Sequence, residues 1–268
     1  MIKLIVTDMD GSLLNDAKQL PADFFEVFTE LQRRKIIFAV ASGRQYYTLQ
    51  QEFYDIRDSV YFIAENGSYV AYRDKVLHLD AMPHADVVEI IQKGREVEDA
   101  FLIVCGKDGA YVENSNIDFL NEAKKYYRRL EIVDDLTQIQ DDVLKVTLCD
   151  FRNAEFNSLK HFEKYSNRFK VAVGAELYLD INNFTANKGN ALRQLQQRLG
   201  ITADETLVFG DYLNDLEMMQ AATYSYAMKN AHPEILQISN FITEFDNNES
   251  GVTRTISKLC LDEHAVGN

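Results

Sequence analysis

The feature that most constrains this fold is a set of short apolar runs that alternate with amphipathic helical patterns. The runs cover residues 2–7, 36–41 and 60–64, and helical patterns lie between them at about 22–34 and 45–54. Apolar runs of this length predict strands that are buried on both faces, and the intervening helices predict parallel connections. The fold class predicted for the N-terminal third is therefore α/β, with a Rossmann-like parallel-sheet core.

The middle of the chain has a different pattern. A hairpin is predicted at 68–72 and 76–79, and Pro83 marks a break after it. Between 83 and 182 we predict helices at 85–97, 117–127 and 155–165, and strands at 101–105, 110–113, 143–148, 169–173 and 177–181. The α/β pattern then returns, with a helix at 188–199 and strands at 206–210, 224–228 and 241–242. We therefore predict a catalytic core of residues 1–82 and 183–268, interrupted by an inserted α+β cap domain at 83–182.

The composition narrows the choice of partners. A net charge of −14 opposes binding to nucleic acid, which needs a concentrated basic surface, so a small molecule is the expected partner. Cys105, Cys149 and Cys260 are widely spaced and odd in number, which indicates neither a disulfide framework nor a zinc site. The N-terminal apolar run is too short for a signal peptide or a membrane span. We expect a cytoplasmic protein, without a membrane partner, that is a monomer or a weak homodimer.

Two carboxylates, Asp8 and Asp10, directly follow the first predicted strand. Ligands of open α/β sheets bind at the carboxyl ends of the strands. Mutual repulsion between two carboxylates calls for a cation or a shared proton, and Mg²⁺ prefers oxygen ligands of this kind. An Asx turn, in which Asp10 caps its own backbone before Gly11, explains the same residues equally well.

Two further segments place polar groups at helix starts. Ser42 and Gly43 follow the second predicted strand, where a hydroxyl and free amides can bind an anion, although an ordinary Ser N-cap is the commoner explanation. Lys188 begins a predicted helix, where the helix dipole disfavours a cation unless an anion lies nearby. A solvated surface lysine is the alternative at this position.

A fourth segment follows the strand predicted at 206–210. It contains Asp211, Asn214 and Asp215 within five residues. Asp215 alone could be explained as a helix cap. Three side chains with oxygen ligands within five residues of a strand end, however, favour a site for a hard metal ion.

Taken in order, these four segments resemble the motifs of the haloacid dehalogenase superfamily of phosphatases: an Asp-x-Asp loop, a Ser or Thr after the second strand, a Lys, and a Gly-Asp-x-x-x-Asp loop. Glu65-Asn66-Gly67 and the inserted unit are similar to the Cof-type branch with a class IIB cap, and the resemblance spans essentially the whole chain. Ser12 stands where Thr is usual, and Tyr212 where a smaller or polar residue is frequent. Neither departure removes a catalytic group, but Tyr212 puts the size of the substrate in question.

The resemblance implies a role for each residue. Asp8 is the implied nucleophile, and Asp10 the acid that protonates the leaving alcohol and then the base that activates water. The implied ligands of Mg²⁺ are the side chains of Asp8 and Asp211 and the backbone carbonyl of Asp10. The implied phosphate-binding set, with Asp215 in support, is Met9, Ser42, Gly43, Lys188 and Asn214, of which Met9 and Gly43 contribute backbone amides.

The resemblance also implies a Mg²⁺-dependent phosphatase for small phosphorylated metabolites, with residues 83–182 selecting the substrate. Sugar phosphates are the first expectation, and pyridoxal phosphate and flavin mononucleotide are rivals. Two other hypotheses stay open: a sugar phosphomutase, and a catalytically idle regulator that binds phosphate.

Overall fold

The computed structural model describes residues 1–261, and within them the chain divides into two compact units. The first unit contains Met1–Gly43, Phe53–His78 and the chain from Asn187 onward. The second contains Arg44–Glu52 and Leu79–Ala186. The predicted domain boundaries at residues 83 and 182 stay predictions.

The regular elements are as follows. The strands are β1 (Leu4–Asp8), β2 (Ile37–Ala41), β3 (Tyr61–Ala64), β4 (Tyr69–Tyr72), β5 (Lys75–Leu79), β6 (Ala100–Gly106), β7 (Ala110–Val112), β8 (Leu130–Ile132), β9 (Val143–Asp150), β10 (Phe169–Ala175), β11 (Tyr178–Asn183), β12 (Thr206–Gly210), β13 (Tyr224–Ala227) and β14 (Phe241–Ile242). The α-helices are α1 (Phe24–Arg33), α2 (Tyr46–Glu52), α3 (His84–Gly94), α4 (Ile117–Ala123), α5 (Leu159–Phe162), α6 (Lys188–Leu199), α7 (Leu216–Met219), α8 (Pro233–Ile238) and α9 (Gly251–Ile256), the last followed by a π-helical turn at Ser257–Leu261.

The sheet of the first unit has the strand order β14-β13-β12-β1-β2-β3-β4-β5 among the described residues. Neighbouring strands from β14 to β3 are parallel, and β4 returns antiparallel to β3. Every residue of β1 is buried, which explains why its first three residues, 4–6, are apolar without alternation before Thr7 and Asp8. The parallel-sheet core predicted from the sequence is confirmed.

Aromatic packing joins the first helix to this sheet. Phe24 and Phe28 of α1 lie on the buried face of the helix and contact Phe38 of β2, with ring centroids 5.7 and 5.8 Å from that of Phe38. Phe53 packs against the ring of Phe24 as well. The burial of such large rings stabilises the sheet that carries β1.

The second unit has its own sheet, with the order β10-β11-β9-β6-β7-β8 among the described residues. Its pairs are antiparallel except for β7 and β8, which gives the α+β character predicted for this part of the chain. One face packs against α3 and α5, where Ile90 and Phe162 are fully buried. The other face packs in part against Phe119 of α4.

The two ends of the longer segment of the second unit, Leu79–Ala186, are hydrogen-bonded to each other. The Asp80 carboxylate accepts hydrogen bonds from Asn183 Nδ2 at 2.7 Å and from Thr185 Oγ1 at 2.8 Å. Asn183 Nδ2 also donates to the carbonyl of Ala81 at 2.8 Å. The first and last residues of this segment therefore lie side by side.

Two predicted elements of the second unit differ from the structure. The helix predicted at 155–165 is reduced to α5 and a following 3-10 turn, because the buried Asp150 carboxylate accepts hydrogen bonds from the amides of Arg152 and Ser158 and holds the chain in turns. Strand β8 was not predicted, since a three-residue edge strand with a mixed pattern carries little signal.

The described residues were also searched for membrane spans. No helix within residues 1–261 has both the length and the apolar character needed to cross a bilayer.

Candidate active site

The carboxyl ends of three neighbouring parallel strands bring the predicted residues together. β1, at the centre, ends at Asp8, which is paired with Ala41 at the end of β2, so that Ser42 is the next residue on that strand. β12, on the other side of β1, ends at Gly210 and delivers Asp211 to the same edge. Asp8 and Ser42 are both buried.

Lys188 lies between two carboxylates of this edge. Its side chain is 0% exposed, and its Nζ donates to Asp8 Oδ1 at 2.5 Å and to Asp215 Oδ1 at 2.6 Å. Asn187 caps the helix that begins with Lys188 by accepting the amide of Asn190 at 2.8 Å. Lys188 is therefore not a solvated surface lysine, and two buried anions compensate its unfavourable position at the helix N-terminus.

Asp215 fixes both Lys188 and the loop that carries Asp211. While Oδ1 accepts the Lys188 ammonium, Oδ2 accepts the amides of Asp211 at 3.0 Å and Tyr212 at 3.2 Å. The side chain packs closely on Gly210, where an added Cβ would lie 2.7 Å from the Cβ of Asp215. Both oxygens of Asp215 are thus engaged by protein donors, as suits a residue that supports the site.

Asn66 connects two of the predicted phosphate-binding residues. Its Oδ1 accepts a hydrogen bond from Asn214 Nδ2 at 3.2 Å, and it lies so near Gly43 that an added Cβ there would be 3.1 Å from it. Asn66 has a left-handed backbone, with φ at 55°, which asparagine tolerates better than most residues. Asn66 belongs to the Glu65-Asn66-Gly67 segment that resembles the Cof-type branch, but nothing in its sequence position predicts this contact.

The loop after β1 places Asp10 apart from the buried carboxylates. The Asp10 side chain is 38% exposed and forms an ion pair with Lys18, with Nζ and Oδ1 2.7 Å apart. Asp10 bridges to Leu14 across the turn, and the carbonyl of Met9 accepts the amide of Leu14 at 2.8 Å. Lys18 was missed, because nothing in the spacing of a lysine eight residues further along the chain singles it out.

Gly11 and Ser12 in the same loop contact Asp211. Ser12 Oγ donates to Asp211 Oδ1 at 3.1 Å, so the serine supplies the hydroxyl that threonine would supply at this position. Gly11 has φ at +83°, and an added Cβ would lie 2.3 Å from Asp211 Oδ2. The loop therefore holds the Asp211 carboxylate from two sides.

The close approach at Gly11 gives a testable prediction. A Gly11→Ala variant should lose about 1–2 kcal/mol of unfolding free energy, because the backbone conformation and the contact with Asp211 both oppose a Cβ. Its kcat/KM in the phosphatase reaction that the resemblance implies should fall about tenfold, because the Asp211 carboxylate has to shift. Chemical denaturation and steady-state kinetics measure the two effects, and Gly200→Ala, which is also left-handed but has no atom within 4 Å of the added Cβ, is the control for backbone strain alone.

The carboxylates at this edge of the sheet carry more negative charge than Lys188 neutralises. Carboxylate oxygens of Asp8, Asp211 and Asp215 lie within 4.8 Å of one another, and Lys188 supplies one positive charge against three negative ones. Burial raises the pKa of Asp8 more than the nearby Lys188 lowers it, and burial together with the charge of Asp215 raises the pKa of Asp211 to about 6. Burial acts to lower the pKa of Lys188, but Asp215 and Asp8 raise it above its usual value, so the ammonium stays charged. Hard oxygen donors with excess negative charge fit a divalent ion such as Mg²⁺.

Comparison with known proteins identifies the family of this chain. A family model described as haloacid dehalogenase-like hydrolase matches residues 5–256. The chain is 35% identical over 269 residues to the 5-amino-6-(5-phospho-D-ribitylamino)uracil phosphatase of Escherichia coli (strain K12), with 98% of this chain and 97% of that protein covered.

Solved structures show the same similarity. A protein of Streptococcus mutans UA159 has a TM-score of 0.84 and 28% identity, with 96% of this chain and 98% of that one covered. A sugar phosphatase of haloacid dehalogenase subclass IIB has a TM-score of 0.80, with 97% and 100% covered, and at 17% identity it shows the fold alone. The chain therefore belongs to the haloacid dehalogenase-like hydrolases and is a phosphatase that acts on phosphoric monoesters.

Proposed function

We propose that this phosphatase hydrolyses phosphate esters of small hydroxylated metabolites, sugar phosphates or sugar-alcohol phosphates, in a Mg²⁺-dependent reaction. The observation that carries the proposal is the buried arrangement of Asp8, Lys188 and Asp215 beside Asp211 at the carboxyl end of β1. A buried carboxylate beside a fixed ammonium and further carboxylate oxygens supports the assignment of Asp8 as the nucleophile.

In the first half of the reaction, an Asp8 carboxylate oxygen attacks phosphorus and the bond between phosphorus and the ester oxygen breaks. Asp10 gives its proton to the leaving alcohol, and the phosphoryl group is now carried by Asp8 as an aspartyl-phosphate. In the second half, Asp10 takes a proton from water, which attacks the phosphorus and releases inorganic phosphate. The partial exposure of Asp10 suits a group that meets both the alcohol and water.

The other residues bind and orient the phosphoryl group. Lys188, Ser42 and Asn214 contact its oxygens together with the amides of Met9 and Gly43, and Asp215 keeps Lys188 in place. Asp8, Asp211 and the carbonyl of Asp10 would hold Mg²⁺, which when bound neutralises charge on the phosphoryl oxygens.

The substrate class is supported by the relative named above and by charge. That Escherichia coli enzyme acts on a phosphorylated ribityl group, which is a sugar-alcohol phosphate, and it covers almost the whole of this chain. The net charge of −14 opposes nucleic acid as a substrate. We assign the choice of substrate to the second unit, acting as a cap, with pyridoxal phosphate and flavin mononucleotide as rival substrates.

A panel of phosphorylated metabolites tests this function. Phosphate release is measured for hexose and pentose phosphates, a ribityl phosphate, pyridoxal phosphate and flavin mononucleotide, each with Mg²⁺ and with chelator. The expected result is Mg²⁺-dependent release that is fastest with a sugar or ribityl phosphate. Background rates for every compound would contradict the proposal, and conversion of a sugar phosphate to its isomer after addition of a sugar bisphosphate would favour a phosphomutase.

Metal binding should also stabilise the folded protein. Because a cation relieves repulsion among Asp8, Asp211 and Asp215 and binds only the folded state, Mg²⁺ at about 100 times its Kd should add about 2.7 kcal/mol to the unfolding free energy. Differential scanning calorimetry with and without chelator measures the shift. An Asp211→Asn variant should lose most of it, and an equal shift in that variant would show that the ion binds elsewhere.

A further inference from the structure

Two asparagines from the C-terminal part of the first unit hold the loop that follows β1. Asn230, after β13, donates from Nδ2 to the carbonyl of Gly11 at 2.8 Å. Asn247 donates from Nδ2 to the carbonyl of Leu14 at 3.1 Å. Because Asp10 bridges to Leu14 across the turn, the two asparagines hold the residue that follows Asp10 and the residue that is paired with it.

The asparagine pair, Asn230 and Asn247, is itself connected. The backbone amide of Asn247 donates to Asn230 Oδ1 at 3.2 Å, so the Asn230 side chain donates to the loop and accepts from its partner. Asn247 is 4% exposed, and its Nδ2 also donates to Asp16 Oδ1 at 3.0 Å. This hydrogen bond and a second one from Asn248 Nδ2 lower the pKa of Asp16, which stays a charged acceptor. The loop is thus held at three of its residues.

The segment that carries Asn230 is anchored to the strand end that carries Asp211. The amide of Met228 donates to the carbonyl of Gly210, the last residue of β12, at 3.0 Å. The amide of His232 donates to the carbonyl of Asp211 at 2.8 Å. Asn230 lies between these two donors in the sequence, so its side chain ties the loop after β1 to the loop after β12.

The backbone next to Asp10 needs such a contact. Gly11 has φ at +83°, and a glycine leaves the backbone more conformations than any other residue does. A hydrogen bond to the Gly11 carbonyl selects one of these conformations. Asn230 itself lies at an exposed position, where a single hydrogen bond contributes little to the stability of the fold. Its contact is therefore better explained by the conformation of the loop than by folding.

We propose that the asparagine pair positions Asp10 for both of its proton transfers by holding the loop at Gly11 and Leu14. Both asparagines act through the backbone of the loop, so they are positioning residues. The proposal rests on the proposed function, in which Asp10 gives a proton to the leaving alcohol and later takes one from water. A small displacement of such a group slows proton transfer and leaves the binding of the phosphoryl group unchanged.

An Asn230→Ala variant tests this role, because the steps of the reaction differ in their need for Asp10. With a sugar phosphate, kcat should fall about tenfold and KM should change by less than about twofold. With para-nitrophenyl phosphate and enzyme in excess, release of nitrophenolate should stay within about twofold of the wild type, since this leaving group departs as a stable anion. Release of inorganic phosphate in the same turnover should slow about tenfold, because water still has to be activated.

Asn240→Ala is the matched control. It makes the same change at an exposed position of the first unit, and it removes a similar hydrogen bond, from Nδ2 to the carbonyl of Thr223 at 2.9 Å, at the opposite end of β13. Every rate should stay within about twofold of the wild type, and its melting temperature should match that of Asn230→Ala. Asn247→Ala should slow the same steps as Asn230→Ala, with a lower melting temperature because it removes buried hydrogen bonds.

An Asp10→Asn variant, measured in the same way, distinguishes failure of the positioning role from failure of the proposed function. The positioning role is overturned if Asp10→Asn slows the release of inorganic phosphate and Asn230→Ala does not. It is also overturned if Asn230→Ala slows nitrophenolate release as much as phosphate release, because Asp8 would then be displaced as well. If the wild type releases no phosphate, or if Asp10→Asn keeps the wild-type rates, the proposed function fails, and the positioning role with it.

Discussion

An Asp8→Asn variant is expected to lose about 10⁴-fold or more of its phosphate release while remaining folded. The neutral amide is a poor nucleophile, so no phosphoryl group can be transferred to residue 8. The fold should survive, because the asparagine side chain has the same size and its oxygen can still accept the Lys188 hydrogen bond. The lost ion pair is offset by relief of the repulsion that Asp215 and Asp211 exert on Asp8.

Phosphate release and thermal unfolding, measured on the same preparation, check both parts of this expectation. Asp55→Asn is the matched control, since it makes the same change at an exposed residue and should behave like the wild type. If Asp8→Asn kept more than about a tenth of the wild-type rate, Asp8 would not be the nucleophile.

A Lys188→Met variant should lose both activity and stability. Methionine fills much of the same volume but leaves Asp8 and Asp215 buried without their common cation. Breaking a buried ion pair from one side typically costs about 3–5 kcal/mol, because the remaining charge stays desolvated. The unfolding free energy from chemical denaturation measures the loss of stability, and the rate of phosphate release measures the expected loss of activity.

A second substitution can identify the cause of that destabilisation. The double variant Lys188→Met with Asp215→Asn has one buried carboxylate fewer than Lys188→Met. Its unfolding free energy should therefore be higher than that of Lys188→Met. Lys124→Met, at an exposed position of the second unit, should leave the unfolding free energy within about 0.5 kcal/mol of the wild type. A Lys188→Met variant as stable as this control would contradict the view that Lys188 balances buried carboxylates.

Much of the core could be predicted from residue patterns, because strands buried on both faces leave apolar runs and their carboxyl ends meet at one edge. That edge is why Asp8 and Asp211, which are far apart in sequence, lie in one cluster. The complete burial of Lys188 could not be deduced in the same way, since a lysine at a helix start is usually solvated. Lys188 is buried because Asp8 and Asp215, which become its neighbours only in the folded chain, pair with its ammonium.

Contacts between loops were the least predictable part. Asn66 lies between Gly43 and Asn214. Asn66 and Asn214 are separated by 148 positions in the sequence, and no sequence pattern predicts their hydrogen bond. The shortened helix near Asp150 has a similar cause, because a buried carboxylate competes with the helical hydrogen bonds for the same amides. In both cases tertiary contacts override what the local sequence favours.

The hydrogen bonds of Asp80 with Asn183 and Thr185 have an evolutionary consequence. Because the two ends of the Leu79–Ala186 segment are neighbours, a segment of almost any length can be accommodated there without stretching the strands on either side. Proteins that share this sheet can thus differ in the inserted segment while the strand that ends at Asp8 keeps its place.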